Sequence, residues 1–173
     1  TLATYRGVTY AEGHSLACSA YTQSYQVTPG RSLVKLDILQ EISLKAKIYI
    51  VTSSHTDHVR EEMERICLPI GAVELRGKAK KYISNKNTSS ILDVPVLRPH
   101  YGAILEEIRS VSQIVTVIGN NFAYDLVTPI SMNLPVAYVP SKYTPTLVSE
   151  YVLTQGILHG STQEILEQLL QLL

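Results

Sequence analysis

The sequence predicts an α/β fold, a mostly parallel sheet covered by helices on both faces. Two observations predict it. Apolar stripes of helical period alternate with short β-branched runs along most of the chain. Those runs are apolar at consecutive rather than alternate positions, the pattern of strands buried on both sides. With 173 residues, 45% of them hydrophobic and 17% charged, the chain has the length and apolar content of a single domain over residues 1–173 with a sizeable core.

The elements follow in order. Residues 1–27 read as an irregular or hairpin segment, with Tyr5, Tyr10, Tyr21 and Tyr25 clustered in it, where amphipathic rings suit an interface or a half-exposed hairpin. Thr28-Pro29-Gly30 then opens a helix in which Leu33, Leu36, Leu39 and Ile42 recur at helical spacing, with a break expected at Ser43 and Leu44. "KAKIYIVTSS" is a buried strand ending at Thr52-Ser53-Ser54. Ser54 and Asp57 have capping-box spacing, and Val59, Met63, Ile66 and Cys67 share one face of the helix that follows.

The polar, lysine-rich stretch 77–92 interrupts the rhythm and reads as a solvated surface excursion. "PHYGAILEEIRSV" resumes it with a stripe of Tyr101, Ile104, Leu105, Ile108 and Val111, followed by the strand "IVTVIG". "PVAYVP" and "GILHG" are two more strands, and Ser161 with Glu164 caps the closing helix.

Composition excludes several functions. Fifteen basic and fifteen acidic residues cancel, so there is no electrostatic footprint for nucleic acid or an anionic membrane. No apolar run approaches the roughly 20 residues that span a bilayer, and no signal pattern opens the chain, so a cytoplasmic protein is expected. Cys18 and Cys67 lack disulfide-framework or zinc-ligand spacing and read as buried thiols. His55 and His58 stand three apart with no third ligand evident, which favours solvent-facing or capping roles. Ser15 beside His14 lacks the signature of a hydrolase nucleophile.

In a parallel sheet the strand C-termini share one edge, so Thr52-Ser53-Ser54 and Gly119-Asn120-Asn121 are expected near each other, with Asp125 close by. "TPGRSLVKLDILQEISLKAKIYIVTSS", "VLRPHYGAILEEI" and "VIGNNFAYDLVTPISMNLPVAYV" together resemble, in order and spacing, the later motifs of the haloacid dehalogenase-like (HAD) hydrolases over roughly Thr28 to Leu173. That resemblance implies a Rossmann-like three-layer domain without a large cap. It places Thr52 at the phosphoryl-binding Thr or Ser, with Ser53 and Asn121 beside it as further anion donors. Arg98 stands where the family has lysine, and Asn120 and Asp125 where it has its two magnesium-holding acidic residues.

The first motif departs from the family. "TYRGVTY" puts Thr4 at the aspartate nucleophile and Arg6 at the aspartate acid/base, and the same segment resembles a Tyr-Arg-Gly hairpin of a small cyanobacterial family. A threonine hydroxyl without an adjacent base is a poor nucleophile, and an arginine cannot take a proton from water. The expectation is therefore a HAD-like domain that has lost phosphohydrolase catalysis and serves as a binding, regulatory or structural protein, with a protein partner or a second copy and without nucleic acid or membrane. No cofactor is expected in that case. The alternative is a magnesium-dependent phosphohydrolase whose nucleophile lies at an unrecognised position or in a piece preceding Thr1.

Overall fold

A computed structural model describes residues 36–65, 73–82 and 98–173, all within the unit spanning residues 33–173. The expectations for residues 1–35, including Thr4, Arg6, Cys18 and the N-terminal tyrosines, fall outside the described residues, as do those for Ile66, Cys67 and residues 83–92.

Helix α1, Leu36–Lys45, buries Ile38 and Ile42, which stand four residues apart on one face. The expected break at Ser43 and Leu44 does not occur. The Ser43 hydroxyl turns back onto the carbonyl of Gln40 at 2.7 Å, and Leu44 continues the helix on its solvent side. Strand β1, Ile48–Val51, leads through helix α2, Thr56–Arg65, to strand β2, Val73–Arg76, parallel to β1 with Ile48 opposite Val73.

Helix α2 starts after His55, one residue beyond the place a Ser54 cap requires, because Ser54 is committed elsewhere. Its N–H donates to Thr52 Oγ1 at 3.1 Å, and its carbonyl accepts from the N–H of Lys78. Strand β2 is not foreshadowed in the sequence, since "VELR" has no apolar run. Its charges are used across the surface: Glu74 pairs with Lys47 and Arg76, and Arg76 reaches Glu107 at 3.1 Å. These partly exposed pairs add little individually.

Helix α3, Pro99–Val111, precedes strand β3, Val117–Gly119. A π-helical turn at Phe122–Leu126 and the short helix α4, Val127–Ser131, lead to strand β4, Val136–Tyr138. Helix α5, Thr146–Thr154, joins β4 to strand β5, Leu158–His159, and helix α6, Thr162–Leu172, follows. The α6 capping box forms as its spacing predicts: Ser161 Oγ accepts from Glu164 N at 3.2 Å, and Glu164 Oε2 accepts from Ser161 N at 2.7 Å. Helices α4 and α5 have no counterpart in the sequence reading. In α3, Tyr101, Leu105 and Ile108 are buried as expected, whereas Val111 is exposed at the last turn.

The paired strands run parallel, giving an α/β architecture with short sheets. They form two sheets among the described residues, β1-β2 and β3-β4-β5, where a single sheet was expected. Both contribute to the same cores. Ile48 and Ile118 pack with the cluster of Ile38, Ile42, Ala137, Ile165, Leu166 and Leu169 between α1 and α6. Val51 and Val117 instead pack with Ala79, Tyr101 and Leu105 beneath α3. Neighbouring strand residues therefore face helices on opposite sides, which is why both strands are apolar throughout. Each large aliphatic side chain so buried contributes roughly 1.5–3 kcal/mol.

Candidate functional site

The site begins where β3 stops. Gly119 is buried, and a Cβ there would fall on the Cβ of Asp125 and 3.1 Å from its Oδ2, so only glycine lets the chain fold back this closely. The next residues close the turn with their own polar groups. Asn121 Oδ1 accepts from Tyr124 N at 3.1 Å, its N–H donates to Asp125 Oδ2 at 2.9 Å, and its carbonyl accepts from Asp125 N at 2.7 Å. The Asp125 carboxylate is thereby fixed against the strand end.

The other oxygen of that carboxylate meets a lysine. Lys81 Nζ lies 2.8 Å from Asp125 Oδ1, with both side chains mostly buried. Lys81 gets there by an irregular path after β2. Lys78 and Lys80 have left-handed backbone angles, φ 56° and 46°, and Ala79 between them is fully buried with its N–H on the carbonyl of Thr52 at 2.9 Å. Two left-handed non-glycine residues so close together store strain, and such strain gathers at functional sites. Here the path leads to Lys81, whose N–H donates to Ser53 Oγ at 3.1 Å while its ammonium reaches Asp125.

Tyr101 completes the cluster. The Lys81 ammonium stands 4.8 Å from the centre of its ring, and its hydroxyl donates to the backbone carbonyl of Asp125 at 3.1 Å. Burial, and secondarily the negative charge of Asp125, push the Tyr101 hydroxyl well above the usual phenol range. It stays protonated and serves as a donor.

The C-terminal ends of β1 and β3 are thus bridged through Ser53, Lys81 and Asp125. Thr52 follows β1, and its hydroxyl oxygen accepts from Ser54 N. Ser53 and Asn120 are exposed. Arg98 is buried at the start of α3, its guanidinium 5.1 Å from the centre of the Tyr124 ring and its Nε without a hydrogen-bond partner. Arg98 and Asn121 both border the turn, since Tyr124 belongs to it.

Two members of the cluster escape the sequence reading. Lys81 lies in the segment read as a solvated excursion, where Lys78, Lys80 and Tyr82 are exposed but Ala79 is fully buried and Lys81 ion-paired. Nothing in "GKAKK" singles out Lys81 from Lys78 and Lys80. Tyr101 reads as one member of an apolar stripe, and its hydroxyl has no sequence signature. His55 and His58 are both exposed, with His58 Nδ1 4.0 Å from Glu61.

The described residues offer a magnesium ion little at Asp125. Both carboxylate oxygens already accept hydrogen bonds, one of them from an ammonium, and magnesium demands near-octahedral oxygen ligation. Among the described residues no three His, Cys, Asp or Glu side chains gather into a group that could hold a metal. No helix among them is long and apolar enough to cross a membrane. Comparisons with protein-family models, curated proteins and solved structures find no match to this chain.

Proposed function

We propose that this chain is a HAD-like, Rossmann-like domain that does not hydrolyse phosphate esters and acts as a binding, regulatory or structural protein. The observation that carries the reading is the Lys81–Asp125 pair. A phosphohydrolase of the resembled type needs Asp125 to present oxygen to a cation, whereas here the chain places its own ammonium on Oδ1. The turn from Gly119 to Asp125 then serves to join two strand ends. Thr4 and Arg6, in place of two aspartates, point the same way, because neither can attack phosphorus and pass on a proton.

The test is turnover of p-nitrophenyl phosphate and a panel of phosphorylated metabolites, with and without magnesium. The expected rate is that of the buffer. Magnesium-dependent turnover that Asp125→Asn abolishes, with circular dichroism unchanged, would establish the phosphohydrolase instead.

A further inference from the structure

Residues 77–81 form a strap that is pinned along its length and bent against its own preference. Gly77 enters it beside the start of α2, where a Cβ would come within 2.8 Å of Thr56 Cγ2 and 2.9 Å of the Ser54 carbonyl oxygen. Lys78 N then donates to that carbonyl at 3.1 Å, and Ala79 N donates to the Thr52 carbonyl at 2.9 Å. Ala79 packs into the core with Tyr101 and Leu105. On either side of it Lys78 and Lys80 are exposed and left-handed, at φ 56° and 46°. Such backbone persists in non-glycine residues only while the surroundings impose it.

One tie differs from the rest. The hydrogen bonds to Thr52 and Ser54 hold the strap to the end of β1, whereas Lys81 Nζ on Asp125 Oδ1 holds it to the turn after β3. Asp125 does not depend on that tie alone, because its Oδ2 accepts from the Asn121 N–H at 2.9 Å. Breaking the ion pair therefore frees the strap while the carboxylate stays held through Oδ2, with Oδ1 uncovered.

We propose that the strap is an autoinhibitory latch with two states. In the closed state, the one described above, Lys81 occupies Asp125 Oδ1 and the strap takes up the Thr52 and Ser54 carbonyls. In the open state Lys78 and Lys80 relax to ordinary backbone angles, Lys81 swings into solvent, and Asp125 and the end of β1 become accessible to a ligand. Strain favours opening and the ion pair opposes it, so the balance is set within a few residues rather than by the whole fold. A ligand that binds the open state better draws the equilibrium towards it. The latch works in this way whether or not the domain hydrolyses phosphate.

The test is amide hydrogen exchange of the full chain in urea too dilute to unfold it, read as protection at Ala79 and, for comparison, at Leu169, buried in α6. Local opening exposes little surface and so depends weakly on urea, whereas exchange through global unfolding depends on it steeply. Ala79 is expected to be less protected than Leu169 and nearly insensitive to urea. Lys81→Met should lower its protection at least about tenfold and leave it insensitive to urea. Lys78→Gly combined with Lys80→Gly should raise it at least about threefold, because glycine takes left-handed angles without strain. A loop without stored strain gives the opposite sign, since added glycine loosens it. Protection at Ala79 that falls with urea in step with Leu169 would mean that the strap opens only as the chain unfolds, and would overturn the proposal. So would unchanged protection in Lys81→Met, or unchanged or lower protection in the glycine pair.

Discussion

Lys81 Nζ stands 2.8 Å from Asp125 Oδ1, and the two side chains are only 17% and 14% exposed, so this ion pair is largely withdrawn from water although its partners come from segments after different strands. Removing one member leaves the other charge with little solvent to replace it. Lys81→Met and Asp125→Asn are each expected to lose about 2–3 kcal/mol, less than a fully buried pair would. The double variant should lose about 1–2 kcal/mol less than the sum of the two, because the penalty of the stranded charge disappears with its partner. Urea unfolding of the four proteins measures both quantities.

Two glycines should respond to alanine with opposite signs. Gly119→Ala drives a Cβ into Asp125 and displaces the turn, at a cost of about 2 kcal/mol or more. Gly102 lies within α3, where a Cβ would meet only Thr128 Cγ2 at an ordinary 3.7 Å. Gly102→Ala should raise stability by about 0.5–1 kcal/mol through helix propensity and a less flexible unfolded chain. Denaturation midpoints of the two variants against the parent decide both signs.

Tyr101 makes the fold sensitive to alkali. Its folded-state pKa is raised above the unfolded value, first by burial and then by Asp125. A raised pKa contributes stability that is fully present below the unfolded pKa of about 10 and is lost as pH climbs from there towards the folded value. Unfolding midpoints should therefore fall above about pH 10. Tyr101→Phe should reduce that alkaline fall and cost about 1 kcal/mol at neutral pH, the hydrogen bond to the Asp125 carbonyl. An alkaline limb as steep in the variant as in the parent would contradict this.

The sequence makes legible what depends on local pattern. The strands at Ile48–Val51 and Val136–Tyr138, the stripe of Tyr101, Leu105 and Ile108, and the Ser161–Glu164 cap all rest on spacing within one element. Strand β2 rests instead on pairing with β1 in sequence that is half charged, so no window of "VELR" could reveal it. Lys81 escapes for a related reason. Its burial depends on two left-handed lysines and on an aspartate 44 positions away, which makes it a property of the tertiary path rather than of residue type.

Magnesium provides the last expectation. At Asp125 it would compete with the Lys81 ammonium on Oδ1 and the Asn121 N–H on Oδ2, and among the described residues no group of three His, Cys, Asp or Glu side chains would repay the loss of its water ligands. A ligand present at its own Kd stabilises the folded state by about 0.4 kcal/mol, which for a chain of this size moves the thermal midpoint by about 1 °C. With magnesium at about 5 mM, a shift below that figure places Kd above the same concentration. The parent is expected to stay below it. In Lys81→Ala the ammonium no longer competes for Oδ1, so any response to magnesium should be larger there than in the parent, measured against calcium and sodium at equal ionic strength. A rise of several degrees in the parent that Asp125→Asn removes would make Asp125 a metal ligand after all.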